Sequence, residues 1–209
     1  MVPYASSDGN MWRAILENVA SDRELIQIVD AAMAEAVRLS GAWVVCRPGC
    51  AECCMGPFPI TQLDARRLRD GLAQLEGRDP ERAARVRRRS RESVARMADY
   101  PGDLTTGILD EDEEAEERFA ALPDEEYCPA LDPATLTCDL YEARPITCRI
   151  FGPAVRSGGD VLGVCALNYH GATDEQIAAC QVQVDPDGME DELLEGRREQ
   201  TIVAFALAG

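Results

Sequence analysis

Apolar residues recur at helical spacing in several stretches of this chain, and the stretches without that period carry most of its cysteines. Residues 21–41 put Leu25, Ile28, Val29, Met33 and Val37 on one stripe, open with Ser21 and Glu24 at capping-box spacing, and close at Gly41. That pattern predicts a helix. Met11, Trp12, Ile15 and Val19 predict a turn or two of helix just before it. The pattern then breaks, for "GAWVVCRPGCAECCMGPFPI" at 41–60 has three prolines, three glycines and no helical period. Such a loop takes its shape from something else, and a bound metal is the obvious agent.

Periodicity resumes at Thr61, an expected N-cap with Asp64 in the first turn, and continues through Ala65, Leu68, Leu72 and Leu75. Asp79-Pro80 predicts a second start, a capping residue followed by Pro at the first helical position. This helix has an apolar side of Ala83, Val86, Val94 and Met97, and a side crowded with Arg78, Arg82, Arg85, Arg87, Arg88, Arg89, Arg91 and Arg96. The acidic run "LDEDEEAEE" at 109–117 follows. The arginines read either as a patch for nucleic acid or an acidic partner or as a solvated face paired with that run, and the second is simpler. Residues 127–151 hold three cysteines among prolines, with a short β-like stretch. Thr173 and Gln176 predict another capping box, opening a helix in which Cys180, one turn from Ile177, faces the core.

The expected fold class is mainly α, with long irregular cysteine-bearing loops and little β. The expected organisation is an N-terminal helical segment at 1–42, a cysteine-cluster metal-binding domain at 43–183, and a C-terminal amphipathic helix at 184–209, together one structural domain.

Composition narrows the function. All 21 basic residues are Arg, against 38 acidic residues, for a formal charge of -17. Phosphates and acidic membrane surfaces are repelled, so no nucleic acid and no membrane is expected as a partner, whereas a basic or redox protein is. Without Lys, Schiff-base chemistry and a phosphate-cradling Lys are excluded. The first twenty residues show no basic leader or signal-like apolar run, and no stretch approaches the roughly 20 apolar residues of a membrane span. A cytoplasmic location is expected, where clustered thiols are more often metal ligands than disulfides. Oligomeric state stays open.

Nine cysteines are present, an odd number that a closed disulfide framework disfavours. Cys46, Cys50, Cys53 and Cys54 form a C-x3-C-x2-C-C run, while Cys128, Cys138, Cys148 and Cys165 follow at long intervals. Thiolates in such numbers select zinc, iron–sulfur clusters or cuprous copper. The spacing matches neither a zinc finger nor a bacterial ferredoxin.

The run with its "CC" pair, followed by "CPAL" and "CDLYEARPITCRIFG", resembles the YkgJ-like cysteine-cluster (CxxCxxCC) family of zinc- or iron-chelating domains. The family's pattern falls on Cys50, Cys53 and Cys54, on Cys128, and on Cys138, Tyr141, Arg144, Pro145, Cys148, Arg149 and Phe151. Cys165, with His170 and Gly171, supplies its last element. The interval from Cys46 to Cys50 is one residue longer than the family's. The resemblance implies a metal-binding domain over roughly residues 43–172, holding zinc or an iron–sulfur cluster on these eight cysteines. Among the relatives, flagellin lysine methylases are held to carry a [4Fe–4S] cluster.

Arg144 and Arg149 are expected beside the metal site, either hydrogen-bonding thiolate or sulfide or pairing with carboxylates. Tyr141 and Phe151 are expected as core or shielding residues. His170, the only histidine, is a candidate ligand or proton acceptor, though a lone His is more often structural. The favoured cofactor is an iron–sulfur cluster of [4Fe–4S] type, because long spacings and flanking arginines suit a cluster wrapped by several segments; structural zinc is the alternative. No nucleophile–base–orienter set is visible, which leaves enzymatic activity open.

Overall fold

The computed structural model describes residues 8–209, with side chains from residue 21 onward. Eight helices are present among them: α1 (Asp8–Ser40), α2 (Gln62–Arg78), α3 (Pro80–Arg96), α4 (Glu113–Ala120), α5 (Ile146–Ile150), α6 (Asp174–Ala179), α7 (Met189–Leu194) and α8 (Val203–Ala208). Seven short strands accompany them: β1 (Pro59–Thr61), β2 (Leu131–Asp132), β3 (Thr137–Cys138), β4 (Val155–Ser157), β5 (Asp160–Val161), β6 (Val182–Gln183) and β7 (Gln200–Ile202). The fold is mainly α with small sheets, as the periodicity implies. No helix among the described residues is long and apolar enough to cross a membrane.

The helix starts at Thr61 and Asp79 are as expected. Thr61 Oγ1 accepts from the Asp64 N–H at 3.2 Å, and the Asp79 carboxylate accepts from the Arg82 N–H at 2.9 Å. The capping box at Thr173 and Gln176 also forms, with both of its hydrogen bonds. The expected start at Ser21 does not occur. With no Gly or Pro between residues 10 and 40 to interrupt it, α1 runs unbroken from Asp8. The side chains of Met11, Trp12, Ile15 and Val19 lie outside the described ones. At the other end Ala36, not Val37, enters the core, and Val37 is exposed. Residues 184–209 are not one helix but α7, β7 and α8, because the Glu195–Gly196 turn, with both residues at positive φ, breaks the chain.

The largest core joins α2, α3 and α8. Leu68, Leu72 and Leu75 of α2 meet Ala83 and Val86 of α3 and Val203, Ala206 and Leu207 of α8. Antiparallel β1–β7 pairing, with Ile60 opposite Thr201, brings α8 back onto α2 and α3. A second core packs Leu25, Val29 and Ala36 of α1 against Leu63, Ile146, Val155 and Val184. Cys128 and Cys138 pack directly on the α2–α3–α8 core.

Candidate metal centre

Two backbone frames position the cysteines. In the first, the Cys128 N–H donates to the Cys54 carbonyl at 2.7 Å, joining the N-terminal cysteine run to the loop that opens at residue 127. The Cys128 carbonyl accepts from the Leu131 N–H at 2.9 Å, and the β2–β3 hairpin sets Leu131 opposite Cys138. Cys54, Cys128 and Cys138 are thus fixed by three successive backbone contacts. Cys148 comes from α5 and lies within charge–charge range of Cys128, Cys138 and Cys53.

Helix α3 grips this frame. The Asp139 carboxylate, beside Cys138, has no exposed side-chain surface and accepts from the guanidinium groups of both Arg82 and Arg89, the latter at 2.6 Å. Arg89 Nε also donates to the carbonyl of Pro129, beside Cys128, at 2.8 Å. Through Arg82 and Arg89 the arginine face clamps the loops that carry Cys128 and Cys138. Among its other arginines, Arg87 pairs with Glu76 at 2.8 Å, Arg96 with Glu126 at 2.6 Å, and Arg91 donates to the Ala208 carbonyl at 3.0 Å. The acidic run at 109–117 is not among these partners. Its residues 113–117 belong to α4.

The second frame centres on Asn168. Its buried side chain accepts from the Val45 N–H at 3.1 Å, donates to the Gly152 carbonyl at 2.9 Å, and sets Nδ2 3.8 Å from the Cys46 sulfur. The Asn168 N–H donates to the Cys165 carbonyl at 2.9 Å, and the Cys165 N–H donates to Gly152 at 3.1 Å. Cys46 in turn lies within charge–charge range of Cys165, Cys50 and Cys53. Gly152 has φ +120°, and a Cβ there would stand 3.4 Å from the Cys46 sulfur. Glycine at this position keeps the sulfur's space open.

All nine cysteines are free thiols. Burial pushes Cys128 up to about 12 and raises Cys138, Cys148 and Cys46. Cys53 and Cys54 behave as a pair. A hydrogen bond from the Cys54 thiol favours the Cys53 thiolate and raises Cys54, and the nearby Arg144 charge further favours Cys53. Arg144 also lowers Cys138. Its guanidinium lies 3.9 Å from the Tyr141 ring centroid, and its buried Nε has no hydrogen-bond partner. A cation with an unused donor among thiols fits a negatively charged thiolate-bound group. The donor set, entirely sulfur, fits zinc or iron–sulfur chemistry. Among the described residues, no three His, Cys, Asp or Glu side chains converge tightly enough for one ion.

The other expected site residues divide. The Arg149 guanidinium is committed to Asp30 of α1 at 2.7 Å and to the carbonyls of Glu142 and Arg144, so it ties α5, which carries Cys148, to α1 and to the turn before it. Tyr141 and Phe151 are exposed, not core, because the 141–143 turn lies on the surface of α2 and Tyr141 serves as a platform for Arg144. His170 is exposed beyond Tyr169. Cys180 is buried beside Tyr169 and donates to the Leu39 carbonyl at 3.5 Å, as a core thiol should.

Sequence reasoning missed Asn168, Asp139 and Gly71. Gly71 sits inside α2 where a Cβ would come within 2.3 Å of the Ala143 Cβ, so the turn that leads to Arg144 seats directly on the helix backbone. Asp139 follows Cys138 and Asn168 lies three residues after Cys165, which is the only signal the sequence held for either.

The family model titled "CxxCxxCC: Putative zinc- or iron-chelating domain" matches residues 45–181, which contain every cysteine named above. The chain belongs to this family. Comparison with curated proteins and with solved structures gives no match. Membership of the CxxCxxCC family accounts for the metal-binding character of the site. The frames described here account for how this member positions its thiols.

Proposed function

We propose that this chain holds an iron–sulfur cluster of [4Fe–4S] type on its clustered cysteines and serves in electron transfer, redox sensing or as an accessory to a modification reaction. The observation that carries the reading is the arrangement around Cys54, Cys128, Cys138 and Cys148. Cys128 and Cys138 pack on the main core, Cys54 is tied to Cys128 through the backbone, and Arg144 stands beside Cys53 and Cys138 with an unused donor. A cation with an unused donor beside several thiols suits the net negative charge of a thiolate-bound cluster, which supports it.

When bound, such a cluster supplies a one-electron couple. The residues of this chain would hold it and shield it, and Arg144 would offset part of its negative charge. Burial keeps Cys128, Cys138 and Cys148 protonated without metal, so loading releases protons and is favoured by rising pH. The acidic surface suits a basic or redox protein as partner.

Zinc is the second reading, favoured by the exposure of Cys46 and Cys53, since a redox-inert ion tolerates an open position better than a cluster does. Analysis of anaerobically purified protein for iron, zinc and acid-labile sulfide, with its visible spectrum, separates the two. The cluster reading expects iron and sulfide in equal amounts with a broad band near about 400 nm. Stoichiometric zinc in a colourless, sulfide-free protein overturns it.

A further inference from the structure

We infer that the cleft lined by α4 and α7 is the docking site for a basic, amphipathic segment of a partner protein. An apolar side chain of that segment seats on the cleft's apolar surface while its Arg or Lys residues meet the carboxylates around it. This docking place rests on the basic partner named above and is independent of which metal the cysteines hold, for no cysteine lines the cleft.

Residues of β1 and β7, the stretch 109–111, α4, and α7 with the chain that follows it surround the cleft. The strands pair with Thr61 opposite Gln200, and the Leu109 N–H donates to the Gln200 carbonyl at 2.9 Å, so one backbone frame joins these segments. The enclosed volume is about 750 Å³. Clefts that bind ligands run to roughly 300–1,000 Å³. Pro59, Leu109, Ala115, Phe119 and Leu194 give this one its apolar surface. Asp110, Glu111, Glu116, Glu190, Asp191 and Glu199 give it six carboxylates.

Two features fix the chemistry of the occupant. The first is charge without a counterpart. Among the described residues none of the six carboxylates forms an ion pair, whereas arginines of α3 take up Glu76, Glu126 and Asp139. Of the two arginines in the cleft, Arg197 is engaged with Glu195 and with the carbonyls of Leu193 and Leu194, which leaves Arg198 against all six. Burial, and then the facing Asp64, raise Glu190 to about 7 against the pull of Arg67, with Asp185 and Asp191 adding to the rise. A metal ion does not supply the counter-charge, because among the described residues no three acidic side chains converge on one position. The carboxylates are spread out, as an extended cation requires. The second feature is the apolar surface they share. An inorganic cation gains nothing from Phe119 and Leu194, whereas a segment with a large apolar residue among its Arg or Lys buries that residue there. Opposite charge around an apolar centre is the usual build of a steered protein contact.

The test is fluorescence anisotropy of a labelled peptide of alternating Arg and Leu, titrated with the full-length protein at low salt. Saturable binding is expected. The double variant Glu111→Gln/Glu116→Gln, two exposed and isosteric changes in the cleft, should weaken it about tenfold. Glu24→Gln/Glu81→Gln removes the same charge from exposed positions outside the cleft and should change the affinity less than about twofold. A peptide with Ser in place of Leu should bind about tenfold more weakly. Equal weakening by the two double variants, equal binding of the Ser peptide, or no binding of the Leu peptide up to about 1 mM overturns the docking site. Full displacement of the peptide by an equal concentration of spermine makes the cleft a site for a free polyamine and overturns the protein segment as its occupant. Iron, zinc and sulfide content of the same samples reads the metal centre separately, so failure of one reading is distinct from failure of the other.

Discussion

Removing the Asp139 carboxylate tests whether the arginine helix is a clamp. In the intact protein this carboxylate has no exposed side-chain surface, whereas the Arg82 and Arg89 side chains that meet it are 37% and 18% exposed. Asp139→Ala leaves both guanidinium groups without their anion. Breaking a fully buried pair costs about 3–5 kcal/mol. Arg82 is more than a third exposed and regains water, so the lower end applies, about 3 kcal/mol. With a urea m-value of about 2 kcal/mol/M, the unfolding midpoint should fall by about 1.5 M. The assay is urea unfolding of metal-free protein followed by far-UV circular dichroism. Arg89→Met should cost nearly as much, and the double variant less than the sum, with a coupling of about 1–3 kcal/mol. Arg88→Ala, which breaks only an exposed 3.7 Å pair with Glu92, should be indistinguishable from wild type. A midpoint within error of wild type for Asp139→Ala, or strict additivity with Arg89→Met, would refute the clamp.

Three further substitutions probe the rest of the architecture. Gly71→Ala should destabilise despite the usual gain of up to about 1 kcal/mol for this change inside a helix, because the new methyl collides with Ala143; a raised melting temperature contradicts the close seating of the 141–143 turn. Asn168→Ala leaves the buried Gly152 carbonyl without this donor and the Val45 N–H without its acceptor and should cost about 1–3 kcal/mol in thermal or urea unfolding, while a neutral result removes Asn168 as the organiser of the second frame. Glu190 has its pKa raised to about 7, chiefly by burial and then by the facing Asp64, against the pull of Arg67 and with Asp185 and Asp191 adding to the rise. The folded state therefore keeps this proton after the unfolded chain has released it, and stability falls as pH rises from about 4.5 to about 7, by at most about 3 kcal/mol. Glu190→Gln should unfold at a higher temperature than wild type at pH 8 and lose that advantage at pH 4; equal differences at both values contradict the assignment.

The helices were legible wherever apolar spacing and capping chemistry agreed. Leu68, Leu72 and Leu75 with Thr61, or Ala83 and Val86 with Asp79-Pro80, place α2 and α3 directly. The reading failed at Ser21, where a residue able to cap a helix sits within one, because nothing in the preceding residues breaks the chain. It also failed across 184–209, where an amphipathic pattern is divided among two short helices and a strand that owes its place to pairing with residues 59–61. The cysteines pointed to metal from their density alone. Their frames depend on contacts such as Asn168 with Val45 and Arg89 with Pro129, which join residues 123 and 40 positions apart and leave no trace in local spacing. The arginine face was half legible. A carboxylate partnership could be anticipated, but not that its chief member would be one buried Asp next to a ligand.

The pairing of β1 with β7 sets an order of events during synthesis. Ile60 meets Thr201 some 140 residues later, and α8 completes the core on which Cys128 and Cys138 rest. All nine cysteines are synthesised before residues 200–208, so until those are added the core surface under Cys128 and Cys138 is still open. At about 5–20 residues per second, the thiols of residues 46–54 wait for several seconds or more before their scaffold can close. During that wait they are exposed to oxidants and to whatever metal is at hand. Until residues 200–208 arrive, the core face under Cys128 and Cys138 lacks its last layer.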